Sequence, residues 1–271
     1  MGFQNKGYEI VQDFLSESEH QHYLDICEKL NHHIHYSGNQ PNYSWNDSSN
    51  INKVEGVCNQ EPEFLKLVSH PTLVKKAREI LNTKYPIDCY ISKFFPMIPK
   101  VGKSTFMHQD NYYFNGNPKN IVSCAIYFTD TSKENGCLRL VEDSHNVGIL
   151  PHDVESGIPY VKWIDDKLLE DYNILDLELK GPFAVFFDIN MVHGCYENKS
   201  DKNRYSLAWE YIETFNNEVQ MSDEPWCDRN EIIEVTCDYC GKPTNDVEEE
   251  HLRGSNHLGC VFKKEQLERL S

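Results

Sequence analysis

The sequence predicts an α+β fold: helices first, then a double-stranded β-helix (the jelly-roll or cupin-like double sheet), with a small appendage at its C-terminal end. Three observations predict it. Ahead of residue 83, a capping box introduces one helix over 20–30 and apolar residues recur at helical spacing over 63–82. From Asp88 onward the texture is one of short strands punctuated by turn residues. After Trp226 the character changes again, to closely spaced cysteine and histidine. These changes divide the chain into a principal domain over 1–220 and a C-terminal segment over 221–271.

Taken in order, residues 7–11 alternate into a strand, and Ser16 with Glu19 forms a capping box ahead of a helix over 20–30. Residues 31–60 are rich in Asn, Ser, His and Tyr without sustained periodicity and read as a long surface loop. Its functional counterpart would be a lid or substrate loop, because structureless loops of that length are uncommon inside compact domains. His32, His33 and His35 are expected to face solvent. Residues 63–82 read as a helix broken near Pro71, with Leu65, Val68, Leu73, Val74, Ala77, Ile80 and Leu81 at helical spacing.

Strands are then expected over 89–95, 104–110, 121–128, 138–141, 175–179, 183–188 and 204–212, with a turn at Asn135-Gly136. In the strand that starts at Arg204, the small and polar residues share the arginine's face, as a barrel interior holding a ligand requires. Tyr205, Leu207 and Trp209 take the opposite face, beneath helices.

Composition narrows the function. A chain of 271 residues with 39% hydrophobic and 12% aromatic content can bury a sizeable core. No run reaches the length of a membrane span, and the first residues have no apolar signal core, so an intracellular, cytoplasmic protein with no membrane partner is expected. Ten cysteines without a secretory signal argue for reduced thiols, some of them metal ligands. A net charge of -17 disfavours a phosphate backbone or an anionic lipid surface as the main partner.

The organising motif is His108-Gln109-Asp110. A second histidine, His193, follows the apolar run Phe183-Ala184-Val185-Phe186-Phe187, and Arg204 stands eleven positions further on. Two imidazoles and one carboxylate can occupy one face of an octahedral iron(II), leaving the other face open to a co-substrate and dioxygen. His108 and Asp110, at i and i+2, would point the same way on an extended strand. The planar fork of Arg204 suits a distant carboxylate, such as that of 2-oxoglutarate.

With those residues in place, 7 to about 215 resemble the phytanoyl-CoA hydroxylase (PhyH) family of iron(II)/2-oxoglutarate dioxygenases. The matching segments are His108-Gln109-Asp110 with Tyr113-Phe114, Glu134-Asn135-Gly136-Cys137-Leu138, Ser144-His145, Pro151-His152-Asp153, and His193-Gly194 with Asn198 and Arg204. The resemblance implies that His108, Asp110 and His193 bind iron, and that Arg204 holds the distal carboxylate of 2-oxoglutarate. It also implies hydroxylation of an unactivated C–H of a small-molecule or acyl substrate, with release of succinate and carbon dioxide. Asn111, Tyr112 and Tyr113 are candidates for the substrate side.

This chain departs from the family in three places. Cys195 stands where the family usually has a serine that helps the arginine hold the co-substrate, and a thiol is the poorer donor. Ile126 occupies a position where Trp is frequent, by ungapped count. Glu142-Asp143 replaces the usual Pro-Gly ahead of Ser144-His145.

In the C-terminal segment, Cys237 and Cys240 precede His251 and His257 with tetrahedral zinc spacing, Cys-x2-Cys, ten residues, then His-x5-His. Cys260 is an alternative ligand. The segment resembles fingers of the matrin and U1 type, a family that often binds nucleic acid, and Zn(II) would fold a stretch with little core of its own. Seven acidic against five basic residues over 237–271 disfavour phosphate. Nucleic acid therefore stays open as a partner only through this finger. The alternative function is a non-catalytic or macromolecule-directed protein of oxygenase fold, recruited to RNA or a protein by the finger. Nothing in the sequence specifies an oligomeric state.

Overall fold

A computed structural model of the chain describes residues 2–36, 44–47, 50–83, 85–114, 119–154, 162–214, 216 and 228–232. The expected zinc ligands Cys237, Cys240, His251, His257 and Cys260 lie outside the described residues. A short helix α1 (Phe3–Lys6) leads into strand β1 (Tyr8–Gln12) and the long helix α2 (Glu17–Tyr36). The capping box forms as its residues require: Ser16 Oγ accepts from the Glu19 N–H at 3.3 Å, and Glu19 Oε2 accepts from the Ser16 N–H at 2.8 Å.

Residues 31–60 are not the long loop expected. Helix α2 continues to Tyr36, and the chain then forms a hairpin of β2 (Ser44–Asp47) and β3 (Asn50–Glu55) before α3 (Val57–Gln60). The helix continues because Leu30 and Ile34 extend the buried stripe of Tyr23, Ile26 and Cys27 at helical spacing. The hairpin lies at the edge of a sheet, where few side chains must be apolar. His32 and His33 are exposed, as expected. Helices α4 (Pro62–Val68) and α5 (Pro71–Leu81) follow, and Pro71 restarts the helix at its first position, where a missing N–H costs nothing.

The remaining strands are β4 (Ile87–Met97), β5 (Thr105–His108), β6 (Ile121–Tyr127), β7 (Leu138–Val141), β8 (Asp153–Val154), β9 (Lys162–Trp163), β10 (Ile174–Asp176), β11 (Phe183–Phe187), β12 (His193–Cys195), β13 (Arg204–Glu213) and β14 (Arg229–Glu231). Among the described residues the larger sheet runs β1-β11-β6-β13-β4-β3-β2, and the smaller runs β10-β7-β12-β5. All pairings are antiparallel, which is the double-sheet jelly-roll architecture. Strand β14, which falls in the C-terminal segment by the sequence division, pairs with β4 and so extends the larger sheet.

Two apolar layers hold this together. Between helices and the larger sheet, Tyr205, Leu207, Trp209 and Tyr211 pack with Phe64, Leu67, Leu73 and Val74. Between the sheets, Tyr127, Phe183, Val185 and Phe187 meet Leu138 and Leu140. Each such fully buried side chain contributes about 1.5–3 kcal/mol. Gly136 makes the turn before β7 at φ +90, where a Cβ would lie 2.7 Å from the Tyr196 carbonyl oxygen. No described helix is long and apolar enough to cross a membrane.

Candidate metal centre

Strands β5 and β12 bring the two histidines together, because His193 pairs directly opposite His108 in the ladder. The strands approach closely at Gly194, where a Cβ would sit 2.6 Å from the Thr105 carbonyl oxygen. The imidazole centroids are 4.3 Å apart. Gln109 keeps extended backbone (φ -116, ψ 131), so Asp110, at the head of a 3-10 turn over Asp110–Tyr113, returns to the side of His108. Asp110 Oδ1 then lies 3.6 Å from His108 Nε2 and 3.6 Å from His193 Nε2. One ligand atom from each residue falls within 4.8 Å of the others.

Hydrogen bonds aim these atoms inward. His108 Nδ1 donates to the Phe106 carbonyl at 2.8 Å, and His193 Nδ1 donates to the Met191 carbonyl at 3.0 Å. That tautomer leaves each Nε2 lone pair free for an ion. The Ser123 hydroxyl donates to Asp110 Oδ2 at 2.6 Å and leaves Oδ1 facing the imidazoles. Gln109, fully buried, clamps the segment: its Nε2 donates to the carbonyls of Gly148 and Asn190, and its Oε1 accepts from the Leu150 N–H.

Electrostatics match the geometry. Burial by itself would raise the Asp110 pKa, but His193, His108 and Lys93 together hold it well below the usual carboxylate range. Burial drives His193 down to about 4, with Asp110 pulling the other way, so the imidazole is neutral. An ionised carboxylate and a neutral imidazole are the protonation states a divalent metal needs.

Arg204 opens β13 and is 2% exposed. Its Nη1 donates to Ser206 Oγ at 2.7 Å, and its guanidinium carbon lies 5.1 Å from the Tyr127 ring centroid. Its Nε is buried without a hydrogen-bond partner, and among the described residues no carboxylate pairs with it. A buried guanidinium left so is costly unless an anion meets it, and its planar fork would suit a carboxylate such as the distal one of 2-oxoglutarate. The Cys195 thiol accepts from the Thr105 N–H and donates to Thr105 Oγ1, both at 3.3 Å. A hydroxyl therefore stands beside the thiol.

Of the three candidates after the motif, Asn111 is fully buried and donates through Nδ2 to Asn190 Oδ1 at 2.7 Å, a structural role. Tyr112 stacks on His152 at 4.0 Å. Tyr113, 46% exposed, meets the His108 ring edge-on at 5.9 Å. Sequence reasoning missed Ser123, Gln109, Thr105, Lys93 and Glu210. Ser123 had a signal: a hydroxyl inside Ile121–Tyr127, a run buried on both faces.

A family model described as phytanoyl-CoA dioxygenase (PhyH) matches residues 3–206. A phytanoyl-CoA dioxygenase domain-containing protein 1 homolog of Dictyostelium discoideum is 29% identical over 46% of this chain, and the match spans only 46% of that relative's own length. An ectoine dioxygenase of Bordetella bronchiseptica is 25% identical over 77% of this chain and 72% of its own. Among solved structures, EctD from S. alaskensis with bound Fe superposes with a TM-score of 0.66 at 18% identity, covering 80% of this chain and 76% of that one. The non-heme alpha ketoglutarate dependent carbocyclase SnoK gives a TM-score of 0.62 at 22% identity, covering 78% and 81%.

Proposed function

The chain belongs to the phytanoyl-CoA dioxygenase family, and from that premise we propose that it is an Fe(II)- and 2-oxoglutarate-dependent dioxygenase hydroxylating an unactivated C–H of a small-molecule or acyl substrate. The observation that carries the proposal is the pairing of three converged metal donors with a buried guanidinium whose Nε has no hydrogen-bond partner among the described residues. In this reading His108 Nε2, Asp110 Oδ1 and His193 Nε2 hold the iron. Arg204, helped by Ser206 and by Thr105 beside Cys195, binds the distal carboxylate of 2-oxoglutarate.

When bound, iron and 2-oxoglutarate supply the oxidising chemistry, with dioxygen consumed and succinate and carbon dioxide released. The protein's own residues do the rest. Ser123 fixes which carboxylate oxygen of Asp110 faces the metal. Met191 and Phe106 fix the imidazole tautomers, and Gln109 holds the ligand segment rigid. Arg204 orients the co-substrate from its far end, and the apolar layer between the sheets keeps bulk water away from the reacting atoms.

For the part of the C-terminal segment that follows β14, the proposal is a small structural unit in which Cys237, Cys240, His251 and His257, with Cys260 as the alternative, bind Zn(II). The test of the principal proposal is succinate formation from 2-oxoglutarate by purified protein. It is expected only with Fe(II) and dioxygen present, and to be lost in Asp110→Ala. Absence of Fe(II)-dependent succinate in the unaltered protein, across a broad panel of small molecules, would overturn it.

A further inference from the structure

The interior face of β13 carries Arg204, Ser206, Ala208 and Glu210 at every second position. Arg204 and Glu210, at its two ends, are each 2% exposed. Both carry a buried polar atom with no hydrogen-bond partner among the described residues, Nε of Arg204 and Oε2 of Glu210. Six residues of strand separate them by about 20 Å. Folded proteins rarely leave such atoms unpaired, and each one calls for an explanation such as local strain, a catalytic role, an ordered water or a bound group.

The two ends differ in what they face. Arg204 is accounted for by the co-substrate. Glu210 stands level with the metal donors: the ladder sets it directly opposite Ser123, whose hydroxyl holds Asp110. Its other oxygen, Oε1, accepts from Lys93 Nζ at 2.7 Å, and Lys93 is itself close enough to Asp110 to lower that residue's pKa. Glu210 therefore offers one committed oxygen and one unpaired one, directly across the ladder from the residue that holds Asp110.

We propose that the Lys93–Glu210 pair is a substrate-recognition element, in which Glu210 Oε2 accepts a hydrogen bond from a cationic nitrogen, an ammonium or amidinium, of the primary substrate. The inference rests on the iron and 2-oxoglutarate reading and narrows its substrate class. An acyl chain laid against Glu210 would leave the oxygen unpaired in a dry site, whereas a cationic nitrogen makes a charge-assisted bond there. Lys93 keeps Glu210 in place and balances its charge before the substrate arrives. Phe106 and Tyr113, 55% and 46% exposed beside the metal donors, offer aromatic faces to the rest of the molecule.

The test uses isosteres that differ only in the group offered to Glu210: benzamidine, benzamide and benzoate. Each is titrated anaerobically into the full chain loaded with Fe(II) and 2-oxoglutarate, following the metal-to-ligand absorption band. Formation of the band before any probe is added reports on the underlying reading by itself. If it does not form, that reading fails and not the recognition step. With the band formed, benzamidine is expected to bind at least about tenfold more tightly than either partner. Glu210→Gln should reduce that preference below about threefold, while Lys93→Met, which frees Oε1, should increase it. A general loss of structure would move both variants the same way. Benzoate or benzamide binding as well as benzamidine, a preference unchanged in Glu210→Gln, or no response to any of the three would overturn the proposal.

Discussion

Removing one buried hydroxyl from β6 should weaken iron binding without disturbing the fold. In Ser123→Ala the 2.6 Å bond to Asp110 Oδ2 disappears, and the carboxylate regains freedom to rotate or to use the wrong oxygen. Ser123 is 2% exposed, so water does not readily replace the lost donor. A hydrogen bond to a charged group is worth about 1.5–3 kcal/mol, which is roughly a 10- to 150-fold change in affinity. Loss of a group that orients a metal ligand typically costs about 10- to 100-fold. We therefore expect Fe(II) affinity to fall by about 10- to 100-fold in an anaerobic titration, with the melting temperature of the apo protein nearly unchanged. Affinity within about twofold of the unaltered protein would refute the role assigned to Ser123.

Arg204→Lys keeps the charge but loses the planar fork, so the apparent affinity for 2-oxoglutarate should fall at least about tenfold while Fe(II) affinity is retained; an unchanged co-substrate titration would contradict this. Burial raises the Glu210 pKa to about 7, with Lys93 opposing and Asp110 and Asp228 adding. The folded state thus holds that proton more tightly than the unfolded chain, and the stability it provides is lost as pH rises through about 7. Relative to Glu210→Gln, unaltered protein should lose melting temperature between about pH 4.5 and 7, and a difference that is flat or opposite in sign refutes the shift. His193 works in the other direction, since its pKa lies near 4. The apo protein should lose stability as pH falls from about 6.5 toward 4, and His193→Gln should remove that part of the acid sensitivity in pH-dependent melts. Elemental analysis should find zinc in addition to iron, and Cys237→Ser should release the zinc while leaving the iron centre intact.

What could be read from the sequence follows from how local each signal is. The strand from Arg204 was legible because period-two alternation survives in Arg204, Ser206 and Ala208 against Tyr205, Leu207 and Trp209, and the core has those aromatics beneath the helices. The capping box at Ser16 was equally local. The hairpin of β2 and β3 was not legible, because its residues are mostly polar and carry no sustained period-two apolar alternation. The convergence of His108 with His193 depends on a ladder between strands more than eighty residues apart, which only their order along the chain suggested. The contributions of Ser123, Thr105 and Glu210 depend on cross-strand register, and no single-strand pattern encodes register. Cys195 illustrates the same limit. As a sequence position it reads as a lost hydroxyl, yet the structure sets the hydroxyl of Thr105 against it from the neighbouring strand.

The most direct measurement is anomalous scattering at the iron edge from crystals grown anaerobically with Fe(II) and 2-oxoglutarate. The account predicts a single peak within coordination distance of His108 Nε2, Asp110 Oδ1 and His193 Nε2, with the far carboxylate of 2-oxoglutarate on the guanidinium of Arg204. An iron peak held by other side chains, or 2-oxoglutarate bound away from Arg204, would contradict it.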